Sequence, residues 1–244
     1  MLKPAFIILA LACNFMTATG QKNTYIGVES AVNNDVYEII DNGSFLKKAP
    51  LITGYFGLNI RQELTPQVFL ETGLLRKYYD EGIGFKNAAV YTETNAINAW
   101  LIPLRLGWRI NLLNLHKQKL YLVPVIGYVL GINSDYGYGN GGLGGSESTA
   151  HDTISYSVYS KLNLRKTFPL MQTGMGVEFV FVRTLLVHIS ANYYTGFKNL
   201  IEQNIDYTHN SEASTAVGLS KGEMLSFGLS VKYPISSLWK NGKK

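Results

Sequence analysis

The stretch Ala96–Leu112, AINAWLIPLRLGWRINL, decides the fold because apolar residues alternate with a second, different set along its whole length. The apolar face carries a tryptophan at two levels, and its members are Ala96, Asn98, Trp100, Ile102, Leu104, Leu106, Trp108, Ile110 and Leu112. The opposite face becomes small and cationic at Arg105, Gly107 and Arg109. Alternation with a period of two predicts a β-strand.

The spacing of the two tryptophans indicates a strand that crosses a membrane. Trp100 and Trp108 are eight residues apart, which at ~3.3 Å per residue and a tilt of ~40° corresponds to roughly 20 Å of height. An indole ring prefers the interface between lipid and water, so tryptophans at both ends of an aliphatic band are typical of a transmembrane strand. We expect Trp100 and Trp108 to mark the two membrane interfaces.

The composition favours β-structure and excludes several classes of protein. The 244 residues are 46% hydrophobic and 16% charged, against a typical charged share of about 25%. Beyond the N-terminus no apolar run approaches the ~18–20 residues of a membrane helix, which excludes a polytopic helical membrane protein. The net charge of +5 comes without a basic stripe, so we expect no nucleic-acid partner.

The first 20 residues have the pattern of a secretory signal peptide. Lys3 precedes the apolar run Ala5–Ala12, and small residues at Ala18 and Gly20 fit a cleavage site. The only cysteine, Cys13, lies inside this segment, so the mature chain would contain no disulfide. Because Leu9–Cys13 also resembles a lipoprotein cleavage site, lipidation remains an alternative.

Seven further segments alternate in the same way and bring the number of strands to eight. They are Tyr25–Val32, Leu51–Arg61, Gln67–Lys77, Leu120–Ile132, Met171–Val182, Leu185–Phe197 and Glu223–Tyr233. Leu120–Ile132 is apolar on both faces, which leaves its orientation open. Eight is an even number, as single-chain outer-membrane barrels require. The sequence therefore predicts an all-β fold over residues 21–234. The expected architecture is an eight-stranded antiparallel up-and-down transmembrane β-barrel of the size of OmpA and OmpX. Residues 235–244 would form a basic periplasmic tail.

The connections between these strands alternate between short and long. Short turns lie at Glu63–Thr65, at Leu113–Gln118 and near Arg183. The long polar connections are Asn33–Lys48, Asp80–Thr94, Asn133–Thr167 and Lys198–Lys221, with part of Thr153–Lys166 extending the sixth strand above the membrane. Outer-membrane barrels turn tightly in the periplasm and carry long loops outside. We therefore expect the outer membrane of a Gram-negative cell, with both termini in the periplasm.

A soluble barrel of the lipocalin type is the structural alternative, with the apolar faces turned inward. The second faces of the strands are rich in glycine, serine and tyrosine but poor in lysine and glutamate, which does not suit a surface in water. The alternation of loop lengths would also be unexplained by a soluble barrel.

Charged residues on the non-apolar faces point into the barrel. They are Glu29, Arg61, Glu71, Arg105, Arg109, Glu178 and Lys232. Eight strands leave an interior that side chains just fill, and buried charges must pair. The sequence therefore predicts a salt-bridged plug in which Arg105 and Arg109 face Glu71 and Glu178. The alternative is a narrow ion-conducting pore lined by the same groups.

No cofactor is expected, and the histidines do not suggest a metal site. They are His116, His151, His188 and His209, and their spacing is not that of ligands.

Two neighbouring strands carry motifs of a known family. They are TGMGVEF at Thr173–Phe179 and ISANYYTGFKNL at Ile189–Leu200. These stretches resemble the outer-membrane β-barrel domain of Bacteroidota, the porin-family group that includes the PorT-like proteins. The resemblance implies a porin-like or scaffold protein, and in the PorT branch a link to gliding and type IX secretion. It implies outer-membrane lipid and a cell-surface or secretion-machinery protein as partners. Many such barrels end on an aromatic residue, whereas eleven residues follow Tyr233 here.

A second resemblance concerns catalysis. His188-Ile189-Ser190 followed by Glu202 resembles the His-x-Ser…Glu spacing of the lipid A 3-O-deacylases, which implies Ser190 as nucleophile, His188 as base and Glu202 as its orienting partner. The family has asparagine where Ala191 stands here, and alternation places His188 and Ser190 in the lumen rather than toward lipid. We therefore expect a non-catalytic scaffold, surface-interaction or secretion-accessory protein, with the deacylase and the pore as alternatives.

Overall fold

The computed structural model describes residues 24–49, 52–80, 82–86, 91–93, 97–115, 118–134, 140–148, 153–162, 166–181 and 185–235. Their strands are β1 (Thr24–Asp41), β2 (Leu46–Ala49), β3 (Ile52–Glu63), β4 (Val68–Tyr79), β5 (Gly82–Phe85), β6 (Tyr91–Glu93), β7 (Ile97–Trp108), β8 (Ile110–Leu115), β9 (Gln118–Asn133), β10 (Asn140–Ser148), β11 (Thr153–Leu162), β12 (Thr167–Phe181), β13 (Leu185–Gly196), β14 (Ile201–His209) and β15 (Glu212–Pro234). The predicted signal peptide with Cys13, and the predicted tail after residue 235, lie outside the described residues. In the described part, no helix is long and apolar enough to cross a membrane.

Eight antiparallel strands close into a barrel, which confirms the predicted fold class. The order around the wall is β1, β3, β4, β7, β9, β12, β13 and β15, and β15 pairs with β1 to complete the circle. Every neighbouring pair is antiparallel. The eight wall strands follow one another in chain order, and the remaining strands belong to the connections between them. The closed wall leaves no free strand edge at the level of the barrel.

The barrel is apolar outside and polar or tightly packed inside, the reverse of a soluble barrel. Its exposed belt contains Val28, Phe56, Leu58, Leu106, Met175, Ile189 and Phe227. The sequence left open which face of β9 points into the barrel. In the structure Val123 and Val129 are buried, whereas Ile126 and Tyr128 are exposed, so the two valines point inward. Such a surface is stable in lipid and unfavourable in water, so the geometry is that of a membrane-spanning barrel.

The long connections are more structured than predicted, which corrects their description as loops. β1 continues to Asp41, and β15 begins at Glu212 instead of Glu223. β14 pairs with the upper part of β15, β11 pairs with β14, and β10 pairs with β11. On one side the wall thus rises above the barrel as a sheet in the order β1, β15, β14, β11, β10. We call this sheet the wall extension; it comprises Glu38–Asp41, Asn140–Ser148, Thr153–Leu162, Ile201–His209 and Glu212–Ser220.

A small three-stranded sheet, β2–β5–β6, packs against the wall extension, and we call it the cap. The shared cluster contains Phe45, Leu46, Ile83 and Phe85 on the cap side and Ile154, Val158, Ile205, Tyr207 and Ala216 on the wall side. Ala216 lies on the same face of β15 as the lumen residues Met224 and Ser226, because all three are separated by even numbers of residues. The cap therefore covers the inner face of the extension, at the mouth of the barrel.

Candidate functional site

A layer of charged side chains fills the half of the lumen near the short turns. Arg105 lies at its centre, with its Nη1 atom 2.6 Å from Glu29 Oε2 and 2.9 Å from Glu71 Oε1. Its Nε atom donates to Gln172 Oε1 at 2.9 Å. The alternation of β7 aims Arg105 inward, between carboxylates supplied by β1 and β4.

Arg61 and Arg109 share the carboxylate of Glu178. Arg109 Nε lies 2.5 Å from Glu178 Oε1, and Arg61 Nη1 pairs with the other oxygen. Arg61 Nε also bonds Glu71 at 2.9 Å, and its guanidinium lies 3.6 Å from the centroid of the Phe69 ring. The structure thus places Arg105 and Arg109 with Glu71 and Glu178 in one connected network, with Arg105 bonded to Glu71 and Arg109 to Glu178.

Lys232 completes the layer and makes Glu71 its most connected acid. Lys232 Nζ lies 3.1 Å from Glu71 Oε2 and donates to Ser230 Oγ. All seven residues predicted to point inward are therefore brought together.

One member of the charge layer was missed from sequence: Glu63, which pairs with Arg109. It follows Arg61 by two residues and so lies on the same face of β3, which is the signal that could have found it. The predicted set carries four cations against three acids. Glu63 raises the acids to four, so the layer is neutral, and neutrality lowers the cost of burying its charges.

Above the charge layer the lumen is apolar, which the sequence did not predict. Its cluster contains Tyr55, Leu75, Tyr79, Ile97, Leu101, Val129, Phe168, Leu170, Tyr194 and Met224. The signal lay in the deciding stretch itself, because Ile97, Ala99 and Leu101 share the inner face with Arg105. We call this cluster the apolar layer.

A second buried ion pair lies at the upper edge of the apolar layer. Lys77 Nζ is 2.8 Å from Asp35 Oδ1 and donates to Thr53 Oγ1 at 2.6 Å. Lys77 is fully buried. Lys77 ends the predicted strand Gln67–Lys77, and Asp35 lies in the predicted connection Asn33–Lys48, so the pair was not proposed from sequence.

The layers leave little free space inside the barrel. The cavity beside Arg61, Arg105 and His188 has a volume of about 20 Å³, which is close to the space that one water molecule needs. Side chains of the described residues fill the lumen across both layers. The narrow ion path that the sequence left open stays a prediction, which conductance in planar bilayers tests.

The catalytic alternative is not assembled. His188 and Ser190 face the lumen, where His188 Nδ1 is 3.9 Å from Glu178 Oε2 and Ser190 Oγ accepts a hydrogen bond from Asn192 at 3.0 Å. Glu202 lies on β14 opposite Leu219, whereas His188 lies opposite Ser230. These two positions on β15 are eleven residues apart, or roughly 35 Å along the strand. Glu202 therefore lies too far from His188 to orient its ring in this structure.

The predicted interface tryptophans both point out of the barrel. Trp100 is 37% exposed and Trp108 is 60% exposed. The Arg76 guanidinium lies 5.0 Å from the centroid of a Trp100 ring, which is a cation–π contact at the rim.

Asp41, in the wall extension, anchors the chain that leads into the cap. Its carboxylate accepts hydrogen bonds from the backbone N–H of Leu46 at 2.6 Å, from that of Gly43 at 3.0 Å and from the Tyr207 hydroxyl at 2.7 Å. Burial favours a higher pKa for Asp41, but these hydrogen bonds outweigh it and lower the pKa below its ordinary value. Burial, and then the bond to Asp41 and its negative charge, raise the pKa of Tyr207 to about 12.

We expect Asp41→Ala to loosen the cap while leaving the barrel closed. The amide of Leu46 loses its acceptor, so its hydrogen exchange at pH 7 should be about tenfold faster or more, the usual effect of losing a hydrogen bond to a charged group. A group with a lowered pKa stabilises the folded state above its ordinary pKa and stops doing so as the pH falls through the lowered value. In the wild type, the protection of the Leu46 amide from exchange should therefore also decrease when the pH is lowered below the usual pKa range of a carboxylate. Unchanged exchange at Leu46 in Asp41→Ala would contradict this role.

Three solved structures of outer-membrane proteins are similar to this chain at low sequence identity. The outer membrane protein OprG from Pseudomonas aeruginosa is 9% identical with a TM-score of 0.48, over 87% of this chain and 96% of that one. The N-terminal β-barrel domain of Pseudomonas aeruginosa OprF is 11% identical with a TM-score of 0.36, over 86% and 98%. Ail, the attachment invasion locus protein of Yersinia pestis, is 13% identical with a TM-score of 0.30, over 86% and 99%. The likeness concerns the fold alone. No protein-family model matches the sequence, and neither does any curated protein.

Proposed function

We propose that this chain is a non-catalytic barrel of the outer membrane that carries the wall extension and the cap as its working surface. In this role the barrel is a rigid support, and the extension contacts a cell-surface or secretion-machinery protein. The observation that carries the proposal is the lumen, which is closed by the charge layer and again by the apolar layer.

The asymmetry of the two ends of the barrel supports an orientation. One end has tight turns such as residues 64–67, where the amides of Leu64 and Thr65 both donate to Val68 O. The other end continues into a capped sheet. Outer-membrane barrels have tight turns in the periplasm and long segments outside, so we place the extension outside and both termini in the periplasm.

The strand motifs support the choice of partner class. The stretches at Thr173–Phe179 and Ile189–Leu200 resemble PorT-like barrels, and that resemblance implies an accessory role in secretion. In the structure Thr173–Phe179 lies in β12 and Ile189–Gly196 lies in β13, within the wall, and the last four residues of the second stretch lead toward β14. They are therefore features of the barrel, and the contact with a partner is assigned to the extension instead.

Labelling of single cysteines in cells tests this arrangement. In a Cys13→Ser background, we expect Glu212→Cys at the tip of the extension to react with a membrane-impermeant maleimide on intact cells. Pro66→Cys, in the tight turn at the other end, should react only after the outer membrane is permeabilised. Both positions are exposed in the structure, so accessibility alone does not distinguish them.

A crosslinking step then tests the function itself. A thiol-reactive crosslinker attached to Glu212→Cys should give one discrete, larger species on intact cells, and the same reagent on Pro66→Cys should not. Labelling in the reverse pattern would contradict the orientation. Correct labelling without a crosslinked species would contradict the role as a partner-binding surface.

A further inference from the structure

The outer face of the wall extension borders a groove of about 680 Å³. Its lining includes two tyrosines, an alanine and a serine, together with the polar residues Asn42, Ser155, Ser157, Asp206, Thr208 and Thr215. Ser157 is directly opposite Asp206, and Asp206 is directly opposite Thr215. Directly opposed residues of antiparallel strands share a face, so these three form one row across β11, β14 and β15.

The described residues that line the groove offer hydroxyl, amide and carboxylate groups but no cation. Asn42 Nδ2 donates to Thr215 Oγ1 at 3.2 Å, which fixes the amide beside the row. Asp206 is exposed, and its carboxylate has no side-chain partner among the described residues. A carboxylate accepts two hydroxyl donors at once, and serine and threonine both donate and accept. Without lysine or arginine the groove does not suit a phosphate, whereas a neutral sugar matches it.

An aromatic side chain continues the same face toward the membrane. Tyr159 is 45% exposed and lies opposite Asn204, which lies opposite Val217 in the next strand. This row is adjacent to the row of Asp206. A hexose has hydroxyl groups around its edge and an apolar C–H face, and an exposed tyrosine ring packs against such an apolar face while its hydroxyl stays in water.

The groove is continuous with the lipid-facing wall of the barrel. Leu225, Phe227 and Leu229 are exposed in the apolar belt, and they share a face of the unbroken strand β15 with Thr215. Thr215 is ten residues from Leu225, which corresponds to roughly 33 Å along the strand and about 25 Å of height at the usual tilt. The groove therefore stands above the acyl chains, on the side that faces the neighbouring lipids.

We propose that this groove binds the saccharide chain of the glycolipid that surrounds the barrel in the outer leaflet. The inference rests on the outer-membrane location proposed above. Asp206 accepts hydrogen bonds from the sugar hydroxyls, the serine and threonine hydroxyls of the groove both donate and accept them, and Tyr159 packs against a sugar ring. Binding would hold the extension against the glycolipid layer and leave the cap free on the opposite face.

The test is a binding titration with purified, folded barrel in detergent micelles. The ligand is the oligosaccharide released by mild acid from the surface glycolipid of the producing strain, and binding is followed by saturation-transfer NMR. Asp206→Ala should weaken binding about tenfold or more, as expected for lost hydrogen bonds to a charged group, and Tyr159→Ala should weaken it as well. Lys47→Ala, an exposed change in the cap, is the matched control and should leave binding unchanged.

Each outcome is decisive. No binding by the wild type, or equal binding by the Asp206→Ala/Tyr159→Ala double variant, would overturn the inference. Equally tight binding of an unrelated glucan of the same length would overturn the assignment to the membrane's own glycolipid. Both substitutions are at exposed positions, and the gel shift of the heated barrel checks that the variants fold. If Glu212→Cys is not labelled on intact cells, the proposed location is contradicted. If it is labelled as expected but the oligosaccharide does not bind, only the saccharide inference is contradicted.

Discussion

Glu71→Ala should destabilise the barrel by about 3–5 kcal/mol, the range for removing one partner of a buried ion pair. Glu71 bonds Arg61 at 2.9 Å, Arg105 at 2.9 Å and Lys232 at 3.1 Å, and all four side chains are buried. Alanine leaves three cations sharing the remaining carboxylates, and the layer gains a net positive charge. Unfolding by guanidinium in detergent micelles, followed by tryptophan fluorescence, measures the change.

Three companion variants separate charge from shape. Glu38→Ala removes an exposed carboxylate of the same type and should change stability by less than about 0.5 kcal/mol. Glu71→Gln keeps the size of the side chain and one acceptor oxygen, so it should fall between wild type and alanine. Glu71→Ala/Lys232→Met should recover part of the loss, because one of the stranded cations is gone. A Glu71→Ala protein as stable as Glu38→Ala would show that the charge layer contributes nothing to folding.

Alternation along the strands is enough to predict the barrel and most of the charge layer. Alternation sets which face each side chain takes, so Arg105, Glu71 and Glu178 could be placed together without knowing any distance. Glu63 obeys the same rule and was missed because it lies at the end of its segment, where a turn was expected. The apolar layer was not predicted, because alternation assigns Ile97, Ala99 and Leu101 to the face of Arg105 but does not indicate that apolar residues on that face pack into a core.

The wall extension and the cap could not be predicted in the same way. Above the lipid the outward residues are polar, as at Thr215 and Asp206, so the contrast between faces that identifies a membrane strand disappears. The cap depends on contacts between distant segments, such as Phe45 with Tyr207 and His209. No local pattern specifies such pairings. Asp35 lies in a segment that was predicted as a connection, so no strand pattern assigned its side chain to a face. Its ion pair with Lys77 was therefore not predicted.

Phe168→Ala should cost about 3–5 kcal/mol, the range for removing a large aromatic side chain from a packed core. Phe168 is 2% exposed in the apolar layer, and its ring meets that of Tyr79 edge-on at 6.0 Å. The neighbouring strand β9 supplies Gly131, which is paired directly with Phe168 and where an added Cβ would clash with the ring. The space beside Gly131 is therefore filled by this ring. Because the surrounding strands are held in place by their interstrand hydrogen bonds, they cannot move inward to fill the cavity that alanine leaves. Guanidinium unfolding in micelles measures the loss.

Phe227→Ala is the matched control, because the same ring is removed from the lipid-facing side, where it is 61% exposed. Unfolding moves both rings into water, so both variants lose a transfer free energy of about 1.5–3 kcal/mol. Only Phe168→Ala also leaves a cavity, since detergent or lipid fills the gap at Phe227. Equal losses of stability would mean that the upper lumen is filled with water rather than packed.

In planar bilayers both variants should stay electrically silent, because the charge layer still closes the lumen beneath Phe168. Stepwise conductance in the wild type would instead contradict the sealed barrel on which the proposed function depends.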